Sequence, residues 1–145
     1  MTDENVRELI DDNCIAVDET TTVGETIDLV RNFASDTETT VYYVYVLGGD
    51  DELLGVVSLR ELLNEADSST MSAVVAPDVV SAHDSDSPKD AAAKLVQHGF
   101  AALPVLDADG TFLGIVRSDD VIEALSEQET KNILKGSDSY MPFGD

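Results

Sequence analysis

Apolar positions along this chain alternate between a strand period and a helix period, and the sequence of switches occurs twice. Residues 41–47, VYYVYVL, are dense in β-branched and aromatic side chains and predict a largely buried strand. Gly48-Gly49-Asp50 supplies a turn, and Leu53 to Val57 returns as the antiparallel partner. Upstream, Cys14 to Val17 is a short extended piece, followed by Val23, Ile27, Val30 and Ala34 on one helical face with Phe33 beside them. Thr22-Val-Gly-Glu25 at the start of that helix has capping-box spacing: a Thr hydroxyl can accept from the amide three residues on, while the Glu reaches back. Ser58-Leu-Arg-Glu61 opens the next helix with the same spacing, and Leu59, Leu62 and Leu63 are its apolar residues. Val6, Leu9 and Ile10 predict a further short helix from Asp3 to about Ile10.

The order strand, helix, strand, strand, helix then repeats. Setting Gly55 on Gly114, an offset of 59, also lays Val46 on Val105, Asp50 on Asp109, Leu54 on Leu113 and Glu61 on Asp120. Further upstream the offset is 65, placing Asp12-Asn13-Cys14-Ile15 on Pro77-Asp78-Val79-Val80 and Thr22-x-x-Glu25 on Ser87-x-x-Asp90. The six extra residues of the first copy lie around Ser35 to Thr40, between a helix and a strand. In the second copy Pro88 occupies the first helical position, Ala91, Ala92, Leu95 and Val96 form the buried face, and Gly99 ends the helix. Residues 102–106 and 112–116 pair across Asp107 to Gly110, and Ser118 onward starts the last helix. Such a period exceeds the usual solenoid repeats and predicts two compact half-domains. Their expected bounds are 1–69, including the N-terminal helix, and 70–135, with 136–145 a fraying tail or a linker to a following segment.

Composition narrows the function classes. The chain has 145 residues, the size of one domain or two small units, and lacks any run near the ~20 apolar residues of a membrane span or the pattern of a signal peptide. Thirty acidic residues against eight basic ones give a formal charge of -22, spread over both copies. That surface repels nucleic-acid phosphate and anionic lipid, so neither is an expected partner. Adaptation to high intracellular salt is the preferred reading of the acidity; a merely solvated surface and divalent-cation sensing are the alternatives. The one cysteine, Cys14, excludes an internal disulfide, fits a cytosolic setting, and is expected to be a buried packing residue. His83 and His98 belong to no ligand set or nucleophile motif, no GxSxG or phosphate loop occurs, and no catalytic constellation is found, so the chain reads as a non-enzyme.

The repeated motif carries a resemblance. Gly99-Phe-Ala-Ala-Leu-Pro104-Val, then Asp109-Gly110, then Gly114-Ile-Val-x-x-x-Asp120, resembles the cystathionine-β-synthase (CBS) domain motif, and Tyr43-Val-Tyr-Val with Gly55-Val-Val-Ser58-Leu-Arg-Glu61 matches it in the first copy. The resemblance covers nearly the whole chain and implies an α+β fold: a tandem CBS (Bateman) pair of two βαββα units whose three-stranded sheets pack together, commonly dimeric. In that family the Ser/Thr-x-x-Asp opening the last helix binds the ribose of an adenine nucleotide such as ATP or AMP, and the Gly-h-x-x-h-Pro segment lines the base pocket. Carried over, this marks Val80, Ser81, Phe100, Ala101, Pro104, Ser118 and Asp120 as the better groove, with Tyr43 and Arg60 reaching toward base and phosphate, and Ser58 and Glu61 as a second possible groove. The chemistry is sensible, since a hydroxyl and a carboxylate can grip a ribose diol. A capping box at Ser58-x-x-Glu61 explains the same residues without a ligand. In the second copy Arg117 stands where the family has Ser/Thr, so either Ser118 caps and substitutes or the ribose grip is lost.

The six-residue insertion, the YYVYV strand, LLGVVSLREL and GIVRSDDVIEALSEQET are similar to the cytosolic CBS pair of MgtE-type magnesium transporters and channels. That resemblance implies a homodimeric regulatory domain on the cytosolic face, gating a membrane pore domain that follows in the full-length protein. Asp119, Asp120, Glu123 and Glu127 match the family's acidic, magnesium-bridging stretch, and carboxylates suit that hard cation. Gln128, Lys131 and Asn132 stand where further acids are usual, so millimolar Mg²⁺ is expected to act on this pair by charge screening alone. No cofactor is required on any of these readings. The alternatives are a free-standing adenine-nucleotide sensor and a structural dimerisation module without a small ligand.

Overall fold

The computed structural model describes residues 5–36, 43–76 and 79–125. The expectations for Val41, for the insertion beyond Asp36, for Glu127 to Asn132 and for the tail 136–145 fall outside them. In the first repeat, β1 (Ile15–Asp18), α1 (Val23–Asp36), β2 (Tyr43–Leu47), β3 (Leu53–Ser58) and α2 (Leu59–Leu63) follow the predicted order. A short helix α3 (Met71–Val74) leads to β4 (Ala82–His83), α4 (Pro88–His98), β5 (Ala102–Leu106), β6 (Phe112–Arg117) and α5 (Ser118–Glu123). The fold is α+β, with one three-stranded sheet in each repeat, ordered β1-β2-β3 and β4-β5-β6.

The two sheets share one register. β1 runs parallel to β2 with Val17 opposite Val46, and β4 runs parallel to β5 with Ala82 opposite Val105. These are the same positions under the 65- and 59-residue offsets. β2 and β3 pair antiparallel with an irregularity at Val46/Leu47, next to a 3-10 turn, Gly49–Asp51, in which Asp50 and Asp51 both take positive φ. Two consecutive left-handed residues explain why the turn is built from Gly and Asp.

Two compact units emerge, and their boundary does not follow the repeat boundary. The first repeat's unit spans Asn13–Val79 with Asp109–Phe112, and its core is Ile15, Val17, Val23, Val44, Val46, Val57, Leu62 and Met71. Tyr45 is buried there and stacks on Phe112, ring centroids 5.3 Å apart. The second repeat's unit takes up the N-terminal segment through Asp12; Val6 is wholly buried among Ala82, Ala91, Ala92, Leu95, Leu103, Val105, Val116 and Val121. The segment grouped by sequence position with the first repeat thus packs on the second. Of the helix expected from Asp3 to Ile10, the described residues hold a single 3-10 turn, Val6–Leu9, capped by the Asn5 side chain.

The reason is a pair of matching straps, one leading into each repeat. The Val6 amide donates to the Asp86 carbonyl at 2.9 Å, and 65 residues later the Met71 amide donates to the Thr21 carbonyl at 2.7 Å. Asp11 bridges Ile115 on β6, and Ala76 bridges Val56 on β3, each by two backbone hydrogen bonds. Each strap passes so close to the third strand that the residue beneath must be glycine. A Cβ on Gly55 would lie 2.5 Å from the Ala76 carbonyl oxygen, and one on Gly114 would lie 2.9 Å from that of Asp11. The strap that precedes one repeat therefore completes the sheet of the other.

One smaller expectation is corrected, and one buried polar residue is added. Cys14 is half-buried, as it sits in the crossing between strap and β1 and not in the core. Thr26, on the helix face assigned to Val23, Ile27 and Val30, is fully buried; its hydroxyl donates to the Thr22 carbonyl at 2.9 Å, which satisfies it without a partner outside the helix.

Candidate ligand-binding site

Each repeat ends in a strand that runs into a short helix, and the polar groups there differ. In the first unit Ser58 is the N-cap of α2: its Oγ accepts from the Glu61 amide at 3.1 Å, and Glu61 Oε1 accepts from the Ser58 amide at 3.1 Å and the Ser58 hydroxyl at 2.9 Å. Hydroxyl and carboxylate are bonded to each other and to the helix start. The capping reading of Ser58-x-x-Glu61 is therefore fully satisfied by the protein, and a ribose would have to break it. Arg60, on the same short helix, is exposed and makes no ion pair with the described residues, while Tyr43 is half-buried on β2 with its ring 6.4 Å from that of Tyr45.

In the second unit the N-cap of α5 is Arg117, with no side-chain cap. Ser118 is the first helical residue, its amide donates to the Ala101 carbonyl at 3.0 Å, and its hydroxyl does not cap. Capping by Ser118 in place of the missing Ser/Thr is thus ruled out by its position one residue inside the helix. The Arg117 side chain is turned to the strap, where Nε donates to Asp11 Oδ2 at 3.2 Å. Asp120, three residues into the helix, is exposed, and its carboxylate has no hydrogen-bond or ion-pair partner among the described residues.

The other residues assigned to this groove lie in the same unit. Val80 and Phe100 are half-buried against the hydrophobic cluster, Pro104 is buried on β5, and Ser81 is half-buried. Ala101 is tied to the start of α5 by the Ser118 amide. Phe100 also stacks on His98, ring centroids 5.3 Å apart and 14° from parallel, which gives the histidine at the end of α4 a packing role. Gly99 closes α4 in the left-handed conformation, as predicted. Tyr43 and Arg60 belong to the first repeat's unit.

Lys94 escaped the sequence reading. Its Nζ donates to the Ser81 carbonyl at 2.8 Å and to Asp86 Oδ2 at 3.4 Å, holding the strand entry that carries Val80 and Ser81 against α4. The available signal was its scarcity: one of eight basic residues, placed within the apolar run Ala91 to Val96. Of the acidic stretch, Asp119, Asp120 and Glu123 share α5, yet no three His, Cys, Asp or Glu side chains among the described residues come together to hold a metal ion. Asp119 and Asp120 are successive helical residues and point about 100° apart.

Among the described residues no helix is long and apolar enough to cross a membrane. The described residues form a duplicated module of two βαββα units, each with polar groups presented where a strand turns into a helix. The chain belongs to the CBS domain family, whose model matches residues 6–68 and 71–127. It is 35% identical over 83% of its length to the magnesium transporter MgtE of Thermus thermophilus, and 32% identical over 87% to MgtE of Enterococcus faecalis. The chain spans about a quarter of those relatives, 27% and 28% of their lengths. It also resembles the crystal structure of the cytosolic domain of the Mg²⁺ channel MgtE in complex with ATP, with 32% identity, a TM-score of 0.77, and coverage of 86% of this chain and 50% of that one.

Proposed function

We propose that this chain is the regulatory CBS pair of a magnesium transporter or channel, that it responds to an adenine nucleotide, and that it acts as a homodimer on a membrane pore domain from the cytosolic side. It does no catalysis on this reading. The carrying observation is the likeness to MgtE over more than four fifths of the chain, including the two transporter sequences and the ATP-bound cytosolic domain. The site chemistry supports one nucleotide per chain. Asp120, in the same unit as Phe100, Ala101 and Pro104, has a carboxylate without a partner among the described residues and so available to a ribose diol, whereas Ser58 and Glu61 are committed to each other.

Calorimetry with ATP, ADP, AMP and S-adenosylmethionine at high salt tests the ligand. Saturable heat at one site per chain, lost in Asp120→Ala and kept in Ser58→Ala, is the expected result. Absence of heat with all four overturns the nucleotide assignment. Apolar runs in the coding sequence beyond Asp145 test the transporter assignment, and a stop codon there favours a free-standing sensor. Millimolar Mg²⁺ should act on the pair through screening of its charge of -22; a saturable response lost in Glu123→Ala and unmoved by matched ionic strength would show a dedicated metal site.

A further inference from the structure

We infer that Asp11 is a positioning residue for the second repeat's ligand groove: by holding Arg117, it keeps the Asp120 carboxylate available. This rests on the nucleotide reading of that groove. Arg117 and Asp120 stand at the first and fourth positions of a helix start, and their counterparts 59 residues earlier, Ser58 and Glu61, touch at 2.9 Å. The spacing that brings Ser58 onto Glu61 also puts an arginine within reach of Asp120, and opposite charge favours that contact. Yet Asp120 has no hydrogen-bond or ion-pair partner among the described residues, and Arg117 donates to Asp11 instead, with only 20% of the Arg117 side chain exposed.

Asp11 is itself fixed. Its amide donates to the Ile115 carbonyl at 2.7 Å and its carbonyl accepts from the Ile115 amide at 3.0 Å, so the carboxylate is presented from a two-bonded backbone bridge over Gly114. The strap's other anchors are buried Val6 and the ion pair of Arg7 with Asp84 at 3.4 Å. The counterpart of Asp11 is Ala76, which has no carboxylate, in the repeat whose helix start needs no arginine restrained. Loosening the strap takes the Asp11 carboxylate away from Arg117, and Arg117 then competes with the ligand for Asp120. The N-terminal strap is thus a built-in control on the groove.

The test uses the full chain at fixed high ionic strength, as wild type, Asp11→Ala, Arg117→Ala and the double variant, with ATP as the probe; alanine removes the guanidinium without supplying a hydroxyl that could cap onto Asp120. Asp11→Ala should weaken ATP binding roughly fivefold, the range of a partly exposed ion pair. Adding Arg117→Ala to it should restore binding, a rescue that a purely structural role of the pair would not give. Arg117→Ala alone should bind at least as tightly as wild type, which keeps the idea testable if Asp11→Ala fails to fold. In the ligand-free proteins, the carboxyl carbon resonance of Asp120 should move in Asp11→Ala and return in the double variant. Unchanged or tighter ATP binding in Asp11→Ala, weaker binding in Arg117→Ala, or an unmoved Asp120 resonance overturns the inference. If no form binds any nucleotide, the functional reading fails, and the Asp120 resonance alone decides whether Asp11 restrains Arg117.

Discussion

At position 58 a serine turns back onto Glu61; at its counterpart, 117, an arginine reaches across to Asp11. Everything around these two positions is shared: a glycine three residues earlier, a strap pairing with the third strand, a fully buried Val6 or Met71 at the strap's start. The duplicated scaffold has kept its backbone and apolar contacts while one polar partner moved from helix to strap. With it goes a difference between the helix starts: Glu61 is bonded to Ser58, whereas Asp120 has no partner among the described residues. Backbone pairing and burial are what both copies need in order to fold, whereas the polar groups at the helix start are not needed for that and are free to diverge.

Gly114→Ala should break the shared part most severely. It forces φ of 144° on a residue with a Cβ and drives that atom into Ile10 and the Asp11 carbonyl. About 4 kcal/mol of destabilisation follows from overpacking and left-handed strain together, measurable by urea unfolding. Met71→Ala, which empties the first unit's strap anchor, should cost about 3 kcal/mol; a loss near zero would mean the straps are not equivalent. The helix starts sharpen the contrast at smaller scale. Ser58→Ala should cost about 1 kcal/mol through its cap, whereas Ser118→Ala, one residue inside its helix, should be nearly neutral.

The smallest effect concerns acid. Bonds from the Thr22 amide and hydroxyl hold the Glu25 carboxyl below its ordinary value, so the folded state binds that proton less readily than the unfolded one. The contribution is complete above the ordinary glutamate range and is lost as pH falls through the lowered value. In Glu25→Gln the urea midpoint should therefore be slightly lower than wild type near neutrality, and the two should converge in acid.

Much of this was legible in the sequence because it is local. The offsets of 59 and 65 gave the register of both sheets, and the Thr22, Ser58 and Ser87 start signals all cap helices in the structure. The straps were not legible. Asp11 meets a strand about a hundred residues away through one isolated bridge, which leaves no periodic trace, and the glycines beneath were read as motif letters and not as clearance. The pattern around Arg117 and Ser118 posed the correct question about the second groove, but its answer depended on where a long side chain finds its partner. Buried Thr26 and the Lys94 anchor were missed for a related reason: each is a polar residue in an apolar run whose satisfaction depends on the fold.

The crossed straps also bear on handling. A cut after residue 69 gives one piece without Met71 and another without Val6, each lacking its own keystone. A cut after Asp12 separates Val6 from the second repeat, on which it packs, so no single cut leaves both units whole.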